Sequence, residues 1–257
     1  MFDAKEVKQQ IVEWIREYFY NNGSPKTKAV IGISGGKDSS VVAALCKEAL
    51  GKGRVLGVLM PHGDQDDIDV AFDLCSTLEM EYVVINIKDS VRGLYDETAA
   101  AGLILNDVAV FNTPARIRMA ALYAVSGIVG GRVANTCNLS EDWVGYVTKF
   151  GDSAGDFCPL SDLTASEVKA VGRELGLAST FIDKTPIDGL CGKTDEESFG
   201  FTYDVLDRYL REGICEDKSV KERIDKLHEA GLHKVRPLPT FRLGSQVSKE
   251  TTVKKGV

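Results

Sequence analysis

Ala29-Val30-Ile31-Gly32-Ile33 runs straight into Ser34-Gly35-Gly36-Lys37-Asp38-Ser39, and a second apolar stretch, Ser40-Val41-Val42-Ala43-Ala44-Leu45, follows at once. An unbroken run of small and β-branched residues is the pattern of a strand buried on both faces of a parallel sheet. Parallel neighbours need a crossover, and a helix opening with Ser40 and stopping near Gly51 supplies one. The rhythm then repeats. Residues 55–60 read as a strand, 66–79 as a helix and 82–86 as a strand. Residues 106–128 read as a long helix with a break near Pro114, and 132–135 as a further strand. Strands alternating with helices at this spacing indicate an α/β chain built on a doubly wound parallel sheet flanked by helices.

Outside that alternation, Val7, Ile11, Trp14, Ile15 and Tyr18 recur at helical spacing, so residues 4–20 read as an amphipathic helix closed by Asn21-Asn22-Gly23-Ser24-Pro25. Thr164 followed by Glu167 is a capping-box pattern for a helix over 164–176. Residues 202–212 and 218–230 also read as helices. The stretch from Thr185 to Ser198 has no periodicity and reads as a surface loop or a lid. With no repeats or linker-like tracts, the 257 residues read as one domain, with a flexible tail from about 245. Hydrophobic residues at 44% and charged residues at 27% are ordinary for a soluble globular chain. A net charge of -7 argues against a chain-wide nucleic-acid surface and leaves room only for a local basic patch, so no nucleic acid is the expectation. No apolar run is long enough to cross a bilayer, and the charged start MFDAKEVKQQ is unlike a signal peptide. No membrane and a cytoplasmic location are the expectations. The 6 cysteines form no CxxC and no metal-ligand spacing with histidine, so they read as reduced thiols.

The glycine turn carries the chemistry. Adjacent glycines let successive N–H groups point into one concavity, a nest for anionic oxygen, and the following helix adds its positive end. Ser34 and Ser39 offer hydroxyls and Lys37 a positive charge. Asp38 makes sense among such donors if Mg²⁺ lies between it and phosphates. The loop is neither GxxxxGK[ST] nor GxGxxG.

The pattern of Ser34, Gly35, Gly36, Asp38 and Ser39 resembles the pyrophosphate loop of the N-type ATP pyrophosphatases. That resemblance implies an adenine nucleotide alpha hydrolase-like fold, cleavage of ATP between its α and β phosphates, and transfer of AMP to a substrate oxygen. Branches of that superfamily adenylate deamido-NAD, xanthosine monophosphate, aspartate, citrulline or tRNA bases, so the loop alone leaves the acceptor open. Further stretches narrow it: Met60-Pro61-His62-Gly63-Asp64-Gln65, the run from Phe111 to Met119, Glu141 ahead of Gly145-Tyr146-Val147-Thr148-Lys149-Phe150-Gly151-Asp152, and His233-Lys234. Together with the loop they are similar to the ammonia-dependent NAD synthetases, over about residues 5 to 240.

The resemblance makes Asp38 and Glu141 the Mg²⁺ ligands and groups them with Ser34 and Ser39 as catalytic residues. It places ATP against Gly32, Ile33, Ser34, Gly35, Gly36, Lys37, Asp38, Ser39, Met60, Gln65, Thr136 and Lys184. It places deamido-NAD against Asn112, Arg116, Lys149, Asp152, Asp156, His233 and Lys234. Taken singly, several also fit plainer readings: Glu141 as an acidic helix start, Arg116 as a solvated helix charge, Asp152 as a turn residue and His233 as a structural histidine. The chain departs from the family pattern at Ala165 and Pro114, where lysine is usual, and at Ile187, where serine or threonine is usual. The implied reaction has two steps. The nicotinate carboxylate of deamido-NAD takes AMP from ATP, and ammonia then displaces AMP. The length leaves no room for a glutaminase unit, so free ammonia is the expected nitrogen donor. A homodimer is also implied, with residues 112–128 at its interface; Ala120, Ala121, Leu122, Ala124 and Val125 suit either that interface or the core. Two rivals remain at this stage: a tRNA-modifying enzyme of the same superfamily, and a nucleotide-binding regulator that has lost catalysis.

Overall fold

Four parallel strands form one sheet in the order β3-β2-β1-β4, where β1 is Ala29–Gly32, β2 Val55–Leu59, β3 Glu81–Val84 and β4 Arg132–Ala134. The computed structural model describes residues 2–65, 67–183 and 194–241. The chain winds outward from β1 through β2 to β3, then returns to set β4 on the other side of β1. The carboxyl ends of β1 and β4 therefore flank a topological switch point, the place where open α/β sheets bind ligands.

Alternation along the strands builds two cores. Ile31, Val55 and Leu59 face one, filled by α1 (Ala4–Asn22), α2 (Lys37–Leu50), α3 (Ile68–Thr77), α7 (Ala165–Glu174) and α8 (Ser179–Ile182). Val30, Leu56 and Val58 face the other, closed by Val125 of α5 (Asp107–Val129). Helices on both faces make the sheet doubly wound, as expected. At the edge, β3 leaves Tyr82, Val83 and Val84 exposed.

The long helix departs from expectation. α5 runs unbroken through Pro114, whose ring removes the N–H that would bond the Val110 carbonyl. The Tyr95 hydroxyl donates to that carbonyl instead, at 3.0 Å. Tyr95 lies on α4 (Lys88–Ala100), a helix that buries only Val91. Other elements match closely. α7 has the expected capping box between Thr164 and Glu167.

A satellite core of Val144, Phe199, Phe201, Leu206 and Ile224 joins α6 (Leu139–Trp143) to α9 (Asp195–Phe199), α10 (Tyr203–Glu212) and α11 (Lys218–Val235). Within the stretch expected to be irregular, residues 195–199 are helical, capped by Thr194 with Glu197. The rest of that stretch, residues 185–193, lies outside the described residues, as do Lys184, Ile187 and the tail from about 245. The start of α7 is tied into this satellite: the Ser140 hydroxyl accepts the Ala165 N–H at 3.0 Å and the buried Asp207 carboxylate accepts the Ser166 N–H at 2.8 Å. Ala165 is thus buried at a helix N-terminus that protein side chains already satisfy.

Candidate active site

β1 ends at Gly32, and the chain turns through Gly35 at φ +77° with its α-carbon facing Ala71 and Val70 of α3. A β-carbon at Gly35 would lie 3.1 Å from the Ala71 nitrogen, so both the left-handed backbone and the close approach call for glycine. Gly36 then N-caps α2 with no side-chain cap. The first-turn N–H groups of α2 are left for an anion, where the helix dipole favours one. The two hydroxyls knit the turn together. Ser34 Oγ lies 3.1 Å from Ser39 Oγ and accepts the Gly36 N–H at 3.2 Å. Ser39 Oγ donates to the Gly36 carbonyl and is buried, so of the pair it is Ser34 that faces solvent.

Asp38, on the first turn of α2, meets the segment that follows β4. Asn138 N-caps α6 by accepting the Glu141 N–H at 3.1 Å, and its amide donates to Asp38 Oδ1 at 2.9 Å. One side chain therefore holds both carboxylates in place across the switch point. The Asn138-x-x-Glu141 spacing is a capping pattern in its own right, and it was the signal that could have found Asn138.

Between the two carboxylates lies the Lys37 ammonium, 2.8 Å from Asp38 Oδ2 and 3.4 Å from Glu141 Oε1. The Lys37 side chain is 2% exposed, its charge enclosed by the two carboxylates rather than free. Burial works against its charge, but Asp38 and Glu141 outweigh burial and hold it protonated well above the ordinary lysine range. Burial and then the Asp38 charge push the Glu141 carboxyl up, although Lys37 pulls the other way. The Tyr203 ring lies 5.3 Å from the ammonium, and its hydroxyl donates to buried Asp195 at 2.9 Å. Neither Asp195 nor Tyr203 was singled out in the sequence, because only packing of α9 and α10 against α6 brings them here.

Most of the remaining candidates gather in a second cluster. The Thr148 hydroxyl donates to Asn112 Oδ1 at 2.7 Å, and Arg116 Nε donates to the Lys149 carbonyl at 3.2 Å. Lys149 Nζ donates to the His233 carbonyl at 2.6 Å, and Lys234 Nζ returns the contact to the Gly145 carbonyl at 2.8 Å. These two lysines clasp the loop before Asp152 to the end of α11, where cations suit the helix dipole. Asp152 accepts the Thr148 N–H at 2.9 Å. Asn135 joins the clusters, since its amide donates to the Asp152 carbonyl at 3.0 Å three residues before Asn138. Asp156 is tied to β4: its carboxylate accepts the Val133 N–H and the Tyr123 hydroxyl, beside the bridge of Ala134 to Phe157. A cavity of about 340 Å³ opens beside it, lined by Asn135, Asp142, Asp156, Cys158 and Lys234.

Others stand apart. Ile33 is buried and pairs with Val58, and Met60 packs on Gly32 while its carbonyl accepts Arg118. Gln65 is tied to Asp67, and Thr136 sits half-buried in the turn after β4.

Residues 7–248 match the family described as NAD synthase. The chain belongs to the NAD synthase family. It is 36% identical over 246 residues to an NH₃-dependent NAD⁺ synthetase of Pyrococcus furiosus, covering 90% of this chain and 92% of that protein. The structure is similar to that of an NMN synthetase from Francisella tularensis, with TM-score 0.86 and 32% identity, covering 95% of this chain and all of the other. It is also similar to a NAD⁺ synthetase from Burkholderia pseudomallei, with TM-score 0.76, 30% identity and coverage of 91% and 90%. Family membership places the chain among C–N-bond-forming ligases with an adenine nucleotide alpha hydrolase-like fold. Among the described residues all five cysteines are unpaired, as expected, and no helix is long and apolar enough to span a membrane.

Proposed function

We propose that this chain converts deamido-NAD, ATP and ammonia into NAD, AMP and pyrophosphate. The observation that carries the reading is the family match over residues 7–248. The site supports it chemically: the uncapped start of α2 offers N–H groups to the departing pyrophosphate, and the second cluster offers cations and carboxylates to the acceptor nucleotide. In the first step a nicotinate carboxylate oxygen bonds to the α-phosphorus while pyrophosphate leaves. Ammonia then bonds to the activated carbonyl carbon, AMP leaves with that oxygen, and a proton is lost to water.

Asp38 and Glu141 fit Mg²⁺. Their hard oxygens already converge on one cationic atom, and Mg²⁺ needs only one or two carboxylates when phosphates and water complete its shell. Bound there, Mg²⁺ would neutralise charge on the pyrophosphate.

A second acceptor, nicotinate mononucleotide, is favoured by one observation, the similarity to an NMN synthetase over that protein's full length. It presents the same carboxylate and lacks only the adenylate half. Incubation with ATP, Mg²⁺ and ammonium plus either acceptor separates the two. Pyrophosphate release with deamido-NAD at the higher kcat/KM supports the main reading, and the reverse ranking supports the second. Release with tRNA alone, or ATP binding without any acceptor-dependent release, sinks both.

The chain is read as one domain acting as a homodimer in the cytoplasm. α5 turns Leu122 and Val125 into the core but leaves Ala120, Tyr123, Ala124 and Ile128 outward, with Leu103 and Ile104 exposed on the loop before it. Such an apolar face suits a second copy. Sedimentation of Ile128→Asp should show monomers where the parent shows dimers.

A further inference from the structure

Lys37 is the first residue of α2, where a side chain could project into the anion nest, yet its ammonium is enclosed between Asp38 and Glu141. It touches Asp38 and Glu141, lies over the Tyr203 ring and stands in the field of buried Asp195. Among the described residues, these three carboxylates share the Lys37 ammonium. A second cation cannot enter the same gap without meeting the ammonium at close range, where like charges repel strongly.

We propose that Lys37 is a resident counter-cation of the Asp38–Glu141 pair, and that a divalent cation reaches those carboxylates only by displacing the Lys37 ammonium outward to the phosphate nest. The exchange leaves the charge balance of the pocket more nearly closed, because a doubly charged ion replaces a singly charged one. It also delivers a lysine to the helix start, where triphosphate oxygens bind. Metal and nucleotide then favour each other through one moving side chain: the metal expels the ammonium, and the phosphates receive it. The free protein should hold a divalent ion weakly, and the nucleotide should tighten it.

The proposal rests on Asp38 and Glu141 being the metal pair, and the test separates the two claims. Mn²⁺ binding without substrates is read from the free-ion paramagnetic resonance signal, for the parent protein and for Lys37→Gln. Removing the ammonium should tighten Mn²⁺ by about tenfold or more. A non-hydrolysable ATP analogue should tighten it much further in the parent than in the variant. Equal or weaker Mn²⁺ binding by Lys37→Gln overturns the role of Lys37 while leaving the metal pair standing. No Mn²⁺ binding by either protein, even with the analogue, overturns both. A second readout needs no variant. Acylation of surface amines, followed by peptide mass spectrometry, should show Lys37 protected in the free protein and labelled several-fold faster once saturating Mg²⁺ is added alone. Unchanged labelling at that Mg²⁺ concentration contradicts the displacement.

Discussion

The nest at residues 34–39 and the clasp formed by residues 145–152 with 233–234 reach their geometry by different routes. The nest is contiguous: two glycines, two hydroxyls and a helix start fix it almost alone, and its bonds span no more than five residues. The clasp is assembled from distant segments, with Lys149 and His233 separated by 84 positions. It also depends on bare backbone contact. A β-carbon at Gly145 or Gly231 would lie within 2.5 or 2.6 Å of the α-carbon of the other, so neither can carry a side chain without moving α11. Local chemistry can be read from a line of sequence, whereas docked chemistry exists only after the satellite core has packed. In the reaction we propose, the nest takes phosphate and the clasp takes the nucleotide that is adenylated.

The comparison breaks most visibly at the carboxylates. Asp38→Asn should lower kcat for pyrophosphate release by about 100-fold or more, with unchanged far-ultraviolet dichroism, since α2 is capped by backbone alone. Gly231→Val should cost roughly 2–3 kcal/mol by overpacking against Gly145. Chemical denaturation reads that loss, and deamido-NAD KM should rise while ATP affinity at the nest stays within about twofold. Loss of ATP binding in that variant would show that the two regions are one unit. Lys149→Met removes one half of the clasp and one cation, and should raise deamido-NAD KM about fivefold with little change in the KM for ATP.

The smallest effect concerns Asp142 in the cavity wall. Burial, helped by the Asp152 charge, lifts its carboxyl to about 6, against about 4 in an unfolded chain. A raised carboxyl pKa means the folded state favours the neutral form, so stability falls as pH climbs through that window. Asp142→Asn should therefore raise Tm by about 2 °C at pH 7 and leave it nearly unchanged at pH 4, as differential scanning calorimetry can check.

The sheet was legible because Ala29–Ile33 and Val55–Leu59 are short apolar runs beside turn chemistry, and α7 because Thr164 and Glu167 form a box that needs no tertiary help. The course of α5 through Pro114 was not, since the carbonyl that proline strands is rescued by Tyr95, from another helix. At the site, Asp38 is legible from the chemistry of its loop and Glu141 only through resemblance, and their meeting depends on Asn138, whose double role only the fold displays. The position of the Lys37 ammonium in the free protein was not legible either. A lysine beside two glycines reads as a phosphate ligand until the carboxylate from α6 appears beside it.

The central claim is that the carboxylate of deamido-NAD takes AMP from ATP before ammonia arrives. Heavy oxygen placed in both carboxylate positions of deamido-NAD follows that transfer directly, with Mg²⁺, ATP and ammonium supplied and the products weighed by mass spectrometry. The account predicts NAD formed together with AMP that carries one heavy oxygen and pyrophosphate that carries none. Label in pyrophosphate, or AMP formed without label, would contradict it.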